Sequence, residues 1–151
     1  MKFCRRKNCE LDERQLMMRG NVFQHTMILY MVLILLNGWL HEEGVHWAGG
    51  LHEGMIIFWL GACLALCEYI LRGITPAGSS NDIIYIMDGI CGGALLILNM
   101  FHLADGSPLV SGASLTSEGG HLVVALLMLS VFCTYLVKRL AGRKETAEDE
   151  D

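Results

Sequence analysis

Lysine and arginine are missing from two long stretches of this 151-residue chain, 20–71 and 73–137. The eleven basic residues all lie elsewhere. Lys2, Arg5, Arg6, Lys7, Arg14 and Arg19 precede the first stretch, Arg72 separates the two, and Lys138, Arg139, Arg143 and Lys144 follow the second. Charge of either sign is scarce at 18%, against about a quarter in soluble proteins. Prolines number two, and no cysteine occurs in 41–53 or 104–118, so no disulfide staples those segments. Cys4 and Cys9 have neither a CxxC spacing nor a second pair, and read as free thiols rather than half of a zinc site. The sequence contains no HExxH, P-loop, dinucleotide fingerprint or nucleophile elbow, which leaves the familiar catalytic classes without support. Nothing here favours a nucleic-acid partner either: the N-terminal basic cluster is placed to meet anionic lipid headgroups.

Apolar residues fill the space that charge leaves, at 53% of the chain. They gather in four runs, 22–40, 54–71, 83–103 and 120–138, each near the ~17–25 residues that a helix needs to cross a bilayer. Backbone in lipid must satisfy its own hydrogen bonds, so runs of this length predict helices. A cleaved signal is a poor reading of the first run, which begins about twenty residues in and has no A-x-A-like site after it. Basic residues resist translocation, so both termini and the 72–82 turn are expected on the cytoplasmic side, with 41–53 and 104–118 outside. The fold expected is all-α and polytopic: four transmembrane helices in an up-down bundle. Residues 1–20 form a basic segment with a short amphipathic helix, 21–140 the membrane domain, and 141–151 an acidic disordered tail.

Helix boundaries follow from local signals. Gly20-Asn21 is a candidate bend, and Pro76, Gly78 and Asn81 stop helices, with Asp82 as the expected N-cap of the third. Trp39, Trp47 and Trp59 suit an interfacial belt at the outer side. Steps of three and four residues give helix faces suited to packing in lipid. They are Thr26, Tyr30, Leu33, Asn37 and His41; Gly54, Ile57, Gly61, Ala65, Glu68 and Arg72; and Asp88, Gly92, Leu95, Asn99 and His102. Gly89 and Gly93 make a GxxxG pair.

Ionisable residues inside a span are costly and mark partners or pathways. Glu68 and Asp88 are the two intramembrane carboxylates, both toward the cytoplasmic end, with His25 at a comparable depth. Arg72 follows Glu68 by four residues, the favoured order for a helical ion pair. One reading is a proton or ion path on His25, Glu68 and Asp88, continued by Asn37, Asn99, His102 and His121. The other is interhelical hydrogen bonding, with Glu68 held by Arg72 and apolar layers around Leu33 and Leu95 closing the way.

The segment "HEEGVHWAGGLHEG", 41–54, concentrates three histidines in the first outer loop. Imidazoles suit zinc, copper or nickel, making His41, His46 and His52 candidate ligands of a divalent metal, or a group that responds between about pH 5 and 7. A solvated polar turn accounts for the same residues. No other cofactor is expected: paired haem ligands at matching depth are approached only by His102 and His121. "EEGVH" lacks the arginine that paired-glutamate membrane peptidases require, and it lies outside the bilayer.

With "LDERQLMMRG" before the first helix, Trp47 and Glu53 in the first outer loop and "CEYILRG" closing the second helix, the chain resembles a group of small bacterial membrane proteins classed as a domain of unknown function. The likeness spans about 11–140 and implies a four-helix protein of a bacterial inner membrane. It transfers no activity. The expectations are a non-enzymatic sensor, accessory or immunity-type subunit, working with lipid, a second copy or another membrane protein. The alternative is a small transporter or channel component for protons or metal ions.

Overall fold

A computed structural model describes residues 13–74 and 81–148, the side chains of 81 and 143–148 excepted. It contains four long helices, α1 (Glu13–Glu42), α2 (Gly50–Arg72), α3 (Asn81–Ala104) and α4 (Ser117–Glu148). A two-stranded antiparallel hairpin, β1 (Val110–Ser111) and β2 (Ser114–Leu115), sits in the α3–α4 connection. All four helices are long and apolar enough to cross a membrane. Apolar side chains cover their outward surfaces, from Phe23, Met31 and Leu35 on α1 to Ile90, Ile97 and Phe101 on α3. In water such a surface would be untenable; in lipid it is the solvent-facing one.

The helices do not pack in chain order. α4 lies between α2 and α3, while α1 packs chiefly on α2, so the spatial sequence is α1–α2–α4–α3. Cys63 bonds Ser130 at 3.0 Å and Cys67 bonds Thr134 at 3.6 Å, so α2 and α4 run parallel and in step. Two apolar clusters lie along this seam. One holds Cys63, Ile70, Tyr85, Val131 and Tyr135; the other holds Ile56, Val124 and Met128, with Trp47, Trp59 and Leu115 against them. Close approach of α3 to α4 is made at two glycines: a Cβ on Gly89 would meet the Phe132 ring, and one on Gly92 the Ala125 carbonyl at 3.1 Å. Gly93 faces open space, so the close approach uses Gly89 with Gly92 and not the GxxxG spacing.

The ends of the bundle differ from several local expectations. Residues 13–20 are the first turns of α1 and no bend occurs at Gly20, so among the described residues there is no separate amphipathic helix. α2 begins at Gly50 rather than 54, because the Glu53 carboxylate accepts the Ala48 N–H at 3.2 Å and ties the incoming chain to the first turn. Asp82 lies inside α3, which already starts at Asn81. Thr116 caps α4, its hydroxyl accepting the Gly119 N–H at 3.2 Å, so that helix starts three residues earlier than the apolar run. At its far end α4 continues to Glu148 where a disordered tail was expected from 141. The sequence "AGRKETAE" holds good helix formers and is carried on from the preceding turns. The expectations for 1–12 and 149–151 fall outside the described residues.

Candidate functional site

Polar side chains collect at two levels, one at each end of the bundle. At the end where α1 begins and α2 finishes, Glu68 of α2 is paired with Arg72 one turn on and faces His25 of α1 at 3.4 Å. Glu68 and His25 line a groove of about 410 Å³ between α1 and α2, together with Thr26, Leu29, Leu64, Cys67 and Leu71. Beside it, Lys138 of α4 donates to the Ile70 and Leu71 carbonyls, the latter at 2.7 Å, and so caps the C-terminus of α2. Gly73, at φ 64°, completes that terminus by turning the chain through the left-handed region. Asp88 is separate from these pairs. It is 8% exposed, inside the bundle, and its Oδ2 has no hydrogen-bond partner.

The other end is built around a buried carboxylate. Glu53, in the first turn of α2, is 2% exposed. One oxygen accepts the Ala48 N–H and the other meets Nε2 of His41, in the last turn of α1. Asn37, one turn earlier on α1, also faces Glu53 with its side-chain amide. Its amide oxygen accepts the Trp47 indole N–H at 2.6 Å, which leaves its NH₂ as the donor toward the carboxylate. The left-handed Gly44, φ 76°, reverses the chain after α1 and brings His46 back over His41, ring centroids 4.6 Å apart and nearly perpendicular. Ligand atoms of His41, His46 and Glu53 all lie within 4.8 Å of one another.

His52 is placed elsewhere. It stands against His121 of α4 with ring centroids 5.1 Å apart, above Gly120. The three histidines of the loop are thus divided between two groups, and Glu53 takes the third place beside His41 and His46. Its sequence signal was a carboxylate three residues beyond Gly49-Gly50 in a histidine-rich run. Asn99 bonds the Leu95 carbonyl of its own helix at 2.9 Å, and His102 is exposed at the end of α3. Trp39 is exposed, as an interfacial anchor should be, whereas Trp47 is half-buried and committed to Asn37. The two connections at this end are joined by backbone: the Leu115 N–H donates to the Trp47 carbonyl at 2.7 Å.

No protein family matches this chain, and no curated protein or solved structure is significantly similar to it.

Proposed function

We propose that this multi-pass protein is a non-enzymatic sensor, accessory or immunity-type subunit of a bacterial cytoplasmic membrane, with both termini inside and the histidine-bearing loops outside. It works through contacts within the bilayer, with a second copy or another membrane protein as partner. The observation that carries this reading is the separation of the polar groups. Glu68 is paired with Arg72 and faces His25, Glu53 is held by His41 and Ala48, and the apolar residues Ile56, Cys63, Val124, Met128 and Val131 lie between those levels. Paired carboxylates behind packed apolar layers suit a structural or signalling subunit better than a conduit. Orientation follows from the basic residues, which among the described residues lie at the end opposite His41, His46, His52, His102 and His121.

A second reading rests on Asp88, whose buried and unpartnered carboxyl is the kind of group through which transporters move protons. Vesicles reconstituted with the protein and given a pH step separate the two. The subunit reading expects no flux above that of empty vesicles. Flux abolished by Asp88→Asn overturns it and establishes the transporter. For orientation, single cysteines (His46→Cys, Ala113→Cys, Gly78→Cys) in a cysteine-free background are treated on intact cells with an impermeant thiol reagent. Labelling of the first two and silence of the third is expected, and the reverse pattern turns the topology over.

A further inference from the structure

Glu53 presents a problem of charge. It is buried at the end of the bundle that holds no lysine or arginine among the described residues: the nearest basic residues in sequence are Arg19 and Arg72, at the opposite ends of α1 and α2. A buried carboxylate that stays ionised needs a cation beside it. Only two sources are available here, a protonated imidazole or a bound metal ion. The surroundings fit the metal. Two imidazoles and one carboxylate converge, from the last turn of α1, the loop and the first turn of α2. Both histidine side chains reach the surface, so the fourth position opens to solvent.

We propose that His41, His46 and Glu53 bind a divalent transition-metal ion, Zn²⁺ by its chemistry, with water in the fourth position. Two imidazole nitrogens and a carboxylate oxygen are a common three-ligand set for zinc, and too few oxygens for calcium or magnesium. Zinc bonds of about 2.0–2.1 Å place tetrahedral ligand atoms about 3.3 Å apart. The present spread, up to 4.8 Å, closes by a short inward movement of His46, while His41 and Glu53 part slightly to admit the ion. His46 is exposed, between Gly44 and Gly49, where the backbone yields easily. The buried ligand is held more firmly: Ala48 N–H and the Trp47–Asn37 relay fix the carboxylate, as partners behind a metal ligand commonly do. Bound zinc would clip α1 to α2 at the end where His41 and Asn37 of α1 already meet Glu53, and would fasten the loop to both. The site stands whichever reading of the protein's role is correct.

The test uses the full chain in detergent micelles, stripped with a chelator and titrated with Zn²⁺ by calorimetry. Cobalt substitution supplies a visible spectrum that reports coordination number. One ion per chain and the intense bands of four-coordinate cobalt are expected. His46→Ala, on an exposed loop where folding is not at stake, should weaken binding at least tenfold. Glu53→Gln, which keeps the shape and the Ala48 contact, should do the same, whereas His52→Ala and His121→Ala should leave affinity within about twofold. A stoichiometry near zero, unchanged affinity in His46→Ala, or an equal loss on removing His52 overturns the assignment.

Discussion

α1 and α4 are both span-length apolar helices, yet one hangs at the edge of the bundle and the other is its axis. In the window that would cross the membrane, 6% of α1 is buried against 33% of α4. α4 offers two faces, Cys63 and Ile70 meeting it on one side and Tyr85 and Gly89 on the other. α1 offers one, and its attachment to α2 is largely polar. His41 meets Glu53 near the top, the Tyr30 hydroxyl donates to the Phe58 carbonyl at 2.7 Å in the middle, and His25 faces Glu68 below. The contrast shows that apolarity settles whether a helix enters lipid but says little about where it sits once there. Between helices in a bilayer the hydrophobic effect gives no preference, so fit and hydrogen bonds choose the neighbours.

Breaking α4's side of the comparison has the largest expected effect. Gly92→Leu drives a side chain into the Ala125 carbonyl and Met128, with backbone that cannot retreat. Overpacking of this kind costs about 1–3 kcal/mol, read as a fall in the unfolding midpoint followed by circular dichroism in mixed micelles. Lys138→Met removes the cation that caps α2 from α4, with an expected loss of about 1 kcal/mol from the helix terminus. Gly61→Leu attacks α1 instead. A Cβ there would overlap the Tyr30 ring, so α1 must swing away. Because α1 contributes nothing to either apolar cluster, the unfolding midpoint should move less than for Gly92→Leu. A spectroscopic distance between labels on α1 and α2 should lengthen. Equal destabilisation by the two glycine variants would mean that α1 is as integral as α4. Tyr30→Phe is the mildest change, deleting one interhelical hydrogen bond worth about 0.6 kcal/mol in lipid.

What could be read from the sequence divides along the same line. The face Thr26, Tyr30, Leu33, Asn37 and His41 is the half-buried side of α1, and Asp88, Gly92 and Asn99 are buried on α3. Both were legible because three- and four-residue spacing is a local property of one helix. Glu53 was not legible as a buried group. Gly49-Gly50 looked like loop, and the forces that hold the carboxylate come from Asn37, His41 and Ala48 on other segments. Lys138 was read as a flanking charge, since its role depends on α2 and α4 being parallel neighbours, a matter of topology that no periodicity encodes. The histidines were gathered by proximity in sequence, but Gly44 and the start of α2 sort them by geometry, sending His52 to His121.

The rung from Leu115 to the Trp47 carbonyl has a practical consequence for anyone adding a tag or a reporter. It hooks the two hairpins together from above, so an insertion beside Trp47 or Leu115 would unlatch both halves at once. Two residues away, the exposed tip at Gly112-Ala113 belongs to neither helix and would carry foreign sequence without disturbing the latch.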